Sequence, residues 1–195
     1  IGIVEGLVVI TFLLFFINLD RLLGPGLLLG YVTGRYHRPR RESRIFMFLD
    51  LKGSTTLADK MAAEHYFGFL HRYFAEMSEP ILETDAEIFQ YVGDEVVLTW
   101  KVGNGLEEAN CIRVFFLIEE QIHAHRDHFL QTYGVVPEFK AGVHTGEVIT
   151  AQIGELKSDI VYNGDVLNTT ARIQALCNQL GQKLLVSAEL IERLS

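Results

Sequence analysis

Cysteine and proline are scarce in this chain: 195 residues contain two Cys and four Pro. Two cysteines cannot build a disulfide scaffold, and the low proline count excludes collagen-like and mucin-like architectures. Cys111 and Cys177 sit in apolar helical patterns and read as core thiols of a reducing, cytosolic setting. Disordered composition is lacking too, since 49% of residues are hydrophobic and 22% charged, so the chain can bury a core. Its length suits one domain with an appendage and is too short for two catalytic domains. Positive charge is short everywhere except near the start. Residues 1–44 carry six Lys and Arg against three acids, whereas residues 45–195 carry eleven against twenty-two. An acidic body argues against nucleic-acid binding by counterion release and suits a domain that holds divalent cations or meets small nucleotides.

Residues 1–19 hold an uncharged run, Leu7 to Ile17, and predict the end of a transmembrane helix, with a buried core helix as the alternative. Residues 20–43 predict an interfacial element kinked at Gly24, Pro25 and Gly26, followed by a basic juxtamembrane linker. Arg35, Arg38, Arg40, Arg41 and Arg44 cluster there, the pattern expected on the cytoplasmic side of a membrane. The start at Ile, without a basic leader or cleavage site, implies a longer parent protein. Residues 44–195 predict the catalytic domain. Within it, 44–51 read as a buried strand and Ser54 as the N-cap of one long helix ending at Pro80. The stretches 87–92 and 95–100 form a hairpin about Gly93 and Asp94. A second helix is expected over 106–131, two strands around a glycine turn over 139–154, a third helix over 165–180, and a strand over 183–187. This order predicts an α+β fold, a ferredoxin-like βαββαβ core with extensions, preceded by the N-terminal membrane helix.

In that topology Asp50, ending the first strand, and Asp94, at the hairpin, come to neighbouring strands at one sheet edge. Two facing carboxylates repel unless protonated or neutralised, and a pair of Mg²⁺ or Mn²⁺ ions would neutralise them. Taken singly, Asp50 reads as a turn cap and Asp94 as a hairpin residue. Lys52, Gly53, Ser54 and Thr55 open a helix whose free N–H groups suit a polyphosphate.

The segments FLDLKGST (48–55), FQYVGDEV (89–96), KAGVHTGEV (140–148) and NGDVLNTTARI (163–173), in this order and spacing, resemble the class III nucleotidyl cyclase catalytic domain. The resemblance implies that Asp50 and Asp94 bind two metals, with the Leu51 carbonyl as an added ligand. It implies that Asn168 orients the ribose and that Arg172, on the same helical face, stabilises charge on the α-phosphate. Gly53, Ser54, Thr55 and Lys140 would contact the phosphates, Lys140 standing where the family usually has Arg. Gln90 and Val161 occupy the base-reading positions. The implied reaction is attack of the ribose 3′-oxygen on the α-phosphorus of ATP, giving 3′,5′-cyclic AMP and pyrophosphate at the interface of a homodimer.

Two departures from the family pattern stand out. Gln90 and Val161 match neither the adenine-reading nor the guanine-reading pair; ATP is favoured because the Glu and Cys that mark guanine are absent. The chain also ends at Ser195, before the hairpin where the family carries a triphosphate-binding Lys, so it reads as truncated. The alternatives are a guanylate cyclase, a diguanylate cyclase suggested by YVGDEVVL, and a silent cyclase-like domain that binds nucleotide or dimerises. His123, His125 and His128 read as a solvated face and not a metal cluster, and His144 as structural. Phe115, Phe116 and Leu117 read as helix core.

Overall fold

The computed structural model describes residues 2–23, 38–154 and 159–194, which form two compact units, one drawn from 1–40 and 149–162, the other from 41–148 and 163–195. In the first unit, α1 (Gly2–Leu23) exposes every side chain from Glu5 to Ile17. Its uncharged stretch, Gly6 to Leu19, is roughly 20 Å long at helical rise, against about 30 Å of hydrocarbon in a bilayer. Among the described residues no helix is long and apolar enough to cross a membrane. The expected transmembrane end at 1–19 is therefore met by a helix, but not by a spanning one. Of the interfacial element and linker expected over 20–43, residues 20–23 continue α1, 40–43 open β1, and 24–37, Arg35 included, lie outside the described residues.

The second unit is built on β1 (Arg40–Leu51), β2 (Glu87–Val92), β3 (Glu95–Lys101) and β4 (Phe139–Ile153), the last running on into the first unit. The strand order is β2-β3-β1-β4-β5, with β5 at Asp159–Asn163 and β6 (Leu184–Val186) parallel to β4. The α+β order expected from sequence is present, with β5 added. β1 and β3 are continuous apolar runs because both of their faces are covered: Ile45, Phe46, Met47 and Leu49 in one, and Val96 to Trp100 in the other, are buried. Their antiparallel register sets Asp50 opposite Glu95. A two-residue turn joins β2 to β3, with Gly93 at φ 64, a left-handed conformation that glycine adopts without steric cost.

Expected helices are divided more finely. The predicted helix from Ser54 to Pro80 is three: α2 (Ser54–Lys60), α3 (Ala63–Glu76) and α4 (Ser78–Glu83). Extended backbone at Met61 and Ala62 breaks the first from the second, re-aiming the apolar stripe. Phe69 and Tyr73 reach the core while Phe67 is left 73% exposed. Pro80 lies in the first turn of α4, where its missing N–H is no loss. The cap before α2 is Gly53 at φ 68, with no side-chain capping bond, so Ser54 is the first helical residue and not the cap. The helix expected over 106–131 is α5 (Val102–Leu106), a 3₁₀ turn (Glu107–Ala109), α6 (Asn110–Ala124) and α7 (Arg126–Tyr133). Positive φ at Glu108 and Ala109 interrupts it. Phe116 is exposed, against expectation, while Phe115 is core. The pair of strands expected over 139–154 is the single strand β4. Gly146 does not turn the chain; it admits a close neighbour, since a Cβ there would lie 3.1 Å from the Val166 Cβ.

Two contacts set the site. The Lys52 N–H donates to the Glu138 carbonyl at 2.8 Å, tying the turn after β1 to the entrance of β4. Against β4 lies α8 (Asp165–Leu180), followed by β6 and α9 (Ala188–Leu194). A Cβ on Gly142 would come 2.3 Å from the Gln174 backbone nitrogen, so strand and helix backbones touch. Glycine here serves close approach, which no other residue permits.

Candidate active site

Asp50 ends β1 and Asp94 fills the β2–β3 turn, and the two carboxyl groups come within hydrogen-bonding reach. Burial raises the Asp94 pKa, the Ser54 hydroxyl donating to it opposes that rise, and the Asp50 charge adds to it. Asp94 Oδ2 is buried with no hydrogen-bond partner. Asp50 differs: its Oδ2 accepts from Gln174 Nε2 at 2.9 Å and lies 3.2 Å from Lys140 Nζ. Glu95, paired with Asp50 in register, has its pKa pushed up to about 7, first by burial, then by Asp50 and Asp94, with Lys140 opposing. The Tyr66 and Tyr73 hydroxyls are pushed up by burial and by both aspartates, which keeps them protonated.

This cluster concentrates negative charge at the edge of an apolar core. Hard oxygen ligands of this kind suit Mg²⁺ or Mn²⁺, which take one or two carboxylates and complete their shells with water and phosphate oxygens. The unpartnered Asp94 oxygen fits that requirement. Among the described residues no group of three or more His, Cys, Asp or Glu is arranged to hold a metal. His123, His125 and His128 do not converge; His125 Nδ1 is 2.9 Å from Glu76 Oε2. His144 Nδ1 is 2.8 Å from the Ser187 Oγ, a structural pairing.

Beside the carboxylates lies a cavity of about 300 Å³ lined by Lys52, Gly53, Lys140, Cys177, Asn178, Gly181 and Gln182. Two ammonium groups and two side-chain amides make it a place for an anion. The fold thus brings together Asp50, Leu51, Gly53, Ser54, Asp94 and Lys140. Thr55 is exposed on α2, Gln90 is exposed on β2, and Val161 belongs to the other unit, on β5. Asn168 and Arg172 lie exposed on α8, opposite its buried residues Thr170, Gln174 and Cys177. Sequence reading missed Glu95 and Gln174. Glu95 carried a signal, being adjacent to Asp94; Gln174 carried none, because its contact spans 124 positions.

Paired carboxylates at the meeting of β1 and the β2–β3 turn lie beside a cavity lined by two lysines, an arrangement chemically suited to divalent cations and phosphates. Residues 37–195 match the Adenylate and Guanylate cyclase catalytic domain family, and the chain belongs to it. It is 41% identical over 182 residues to adenylate cyclase 2 of Rhizobium meliloti, covering 93% of this chain and 50% of that protein. The chain therefore spans about half the length of that relative. Among solved structures, a bacterial light-regulated adenylyl cyclase superposes with a TM-score of 0.79 at 23% identity, covering 95% of this chain and 56% of the other. The guanylyl cyclase Cya2 gives a TM-score of 0.71 at 19% identity, covering 80% of each. Both likenesses show a shared fold.

Proposed function

We propose that this chain is the catalytic domain of an adenylate cyclase, converting ATP to 3′,5′-cyclic AMP and pyrophosphate. The observation that carries the proposal is the Asp50–Asp94 pair with its unpartnered buried Asp94 oxygen, in a chain 41% identical to an adenylate cyclase. Asp50, Asp94 and the Leu51 carbonyl would hold two divalent cations, Mg²⁺ or Mn²⁺. When bound, these ions neutralise phosphate charge and lower the pKa of the ribose 3′-hydroxyl. The 3′-oxygen forms its bond to the α-phosphorus as the bond to the bridging oxygen breaks; pyrophosphate leaves in line and the hydroxyl proton passes to water.

Gly53, Ser54 and Thr55 present N–H groups to the phosphates, and Lys52 and Lys140 flank the cavity that receives them. Asn168 and Arg172 sit on an exposed face, which supports a homodimer in which they serve the partner's site, orienting the ribose and stabilising the α-phosphate in the transition state. Base reading is assigned to Gln90 and Val161 by the positions they hold in the family's pattern. The exposed apolar side chains of α1, Leu7 to Ile17, support attachment to a membrane with the catalytic domain on its cytoplasmic side. Incubating the protein with ATP or GTP and Mn²⁺, and identifying products by mass spectrometry, tests the reading: cyclic AMP is expected, cyclic GMP alone would assign a guanylate cyclase, cyclic di-GMP a diguanylate cyclase, and no product from either a silent domain.

A further inference from the structure

We propose that Gln174 is a positioning residue for the carboxylate of Asp50, and that the contact between α8 and Gly142 presents it. The proposal rests on Asp50 being a metal ligand. Gln174 is 7% exposed and its Nε2 lies 2.9 Å from Asp50 Oδ2. A carboxylate that accepts only leaves one sensible orientation of the amide, nitrogen inward. The same oxygen faces Lys140 Nζ at 3.2 Å, so one oxygen of Asp50 is held from the side of β4 and α8. Held there, the carboxylate keeps its other oxygen clear of these two donors, and Asp94, its neighbour in the cluster, has a buried and unpartnered Oδ2.

The two donors are not equivalent. Lys140 brings a positive charge that opposes a divalent cation at the same carboxylate, and it also lines the cavity that would receive a phosphate. The Gln174 amide brings no charge and has little freedom. A Cβ on Gly142 would sit 2.3 Å from the Gln174 nitrogen and 2.7 Å from its Cα, so the helix backbone rests on the strand. One turn later the Cys177 thiol donates to the Ala141 carbonyl at 3.3 Å. Gln174 thus keeps Asp50 oriented when Lys140 is drawn to substrate. Groups that fix a metal-binding carboxylate in this way are typically worth ten- to a hundredfold in metal affinity.

The test is Mn²⁺ binding to the full chain without nucleotide, followed by the electron paramagnetic resonance signal of free Mn²⁺. Gln174→Met keeps the volume and removes the donor; Gln174→Asn keeps the amide but withdraws it by one methylene. Both are expected to bind Mn²⁺ about tenfold more weakly with an unchanged melting temperature, and to recover turnover at saturating Mn²⁺. Wild-type affinity in both, or a lowered melting temperature with wild-type affinity, overturns the proposal. Should Gln174→Met fail to fold, Gln174→Asn decides alone. Asp50→Ala separates the two levels of argument: if it retains wild-type Mn²⁺ binding, Asp50 is not a ligand and both readings fall. If it loses binding while the Gln174 variants do not, only the role of Gln174 falls.

Discussion

The two faces of α8 do different work. On its inner face Thr170, Gln174 and Cys177 are buried, pressed against β4, with Gln174 bonded to Asp50 of the same chain. On its outer face Asn168 and Arg172, one turn apart, are exposed. On the proposed reading the inner face supports a carboxylate of its own chain, which demands burial, and the outer face would be completed by a second chain.

The largest expected effect falls on what the inner face supports. Asp50→Ala or Asp94→Ala should abolish cyclic AMP formation, by at least about a thousandfold given the several kcal/mol that metal stabilisation of developing charge supplies. Circular dichroism should show the fold retained in both; Asp94→Ala relieves like-charge repulsion, whereas Asp50→Ala also takes the acceptor from buried Lys140 and Gln174 and should lower the melting temperature. Near-normal turnover in either variant would remove the metal assignment.

Breaking the outer face should cost about a hundred- to a thousandfold in kcat through Arg172→Ala, with no change in stability. The sharper version mixes two dead proteins. An Asp50→Ala chain combined with an Arg172→Ala chain regenerates one intact site per mixed dimer. With free subunit exchange about half the dimers are mixed, each with one of two sites restored, so activity should return to roughly a quarter of wild type. A mixture that exchanges subunits yet stays dead would place both faces in the service of one chain.

The junction between the faces is tested by Gly142→Ala. The added methyl meets backbone and has nowhere to move, so a loss of about 1–3 kcal/mol is expected. At this chain length that lowers the melting temperature by several degrees, with Mn²⁺ affinity falling in parallel. Base choice is a smaller matter: Gln90→Lys with Val161→Thr should raise the ATP-to-GTP preference several-fold in paired kcat/KM measurements. An unchanged ratio would assign base selection to other residues.

Which parts were legible in the sequence follows the range of the forces involved. The β1 apolar run, the Gly93–Asp94 turn and the bounds of α8 were readable because each is set by local periodicity or by a φ that glycine favours. Their order alone places Asp50 and Asp94 at one sheet edge. The breaks at Met61 and at Glu108–Ala109 were not readable, since the apolar spacing continues across them and tertiary packing decides where the backbone turns. A glycine turn was expected within 139–154 because the real uses of Gly142 and Gly146, close approach of Gln174 and Val166, are invisible along the chain. Gln174 was hidden for the same reason, being joined to Asp50 across 124 positions.

The smallest effect concerns Glu95, where the inner site leaves its mark on stability rather than on chemistry. Its pKa in the folded protein stands at about 7, against 4.5 for the ordinary side chain, chiefly because burial disfavours the charged form. Between those values the folded state binds more protons than the unfolded one, so stability falls as pH rises from about 4.5 to 7 and levels off above. In the presence of a chelator the melting temperature should decline across that window, and Glu95→Gln should flatten the decline. Adding Mn²⁺ should flatten it too, because a cation at Asp50 and Asp94 offsets the two charges that help to hold the Glu95 proton. A melting temperature that rises through the window in wild type, or an unaltered slope in Glu95→Gln, would mean that the proton sits on another member of the cluster, with Asp94 the first to examine by Asp94→Asn.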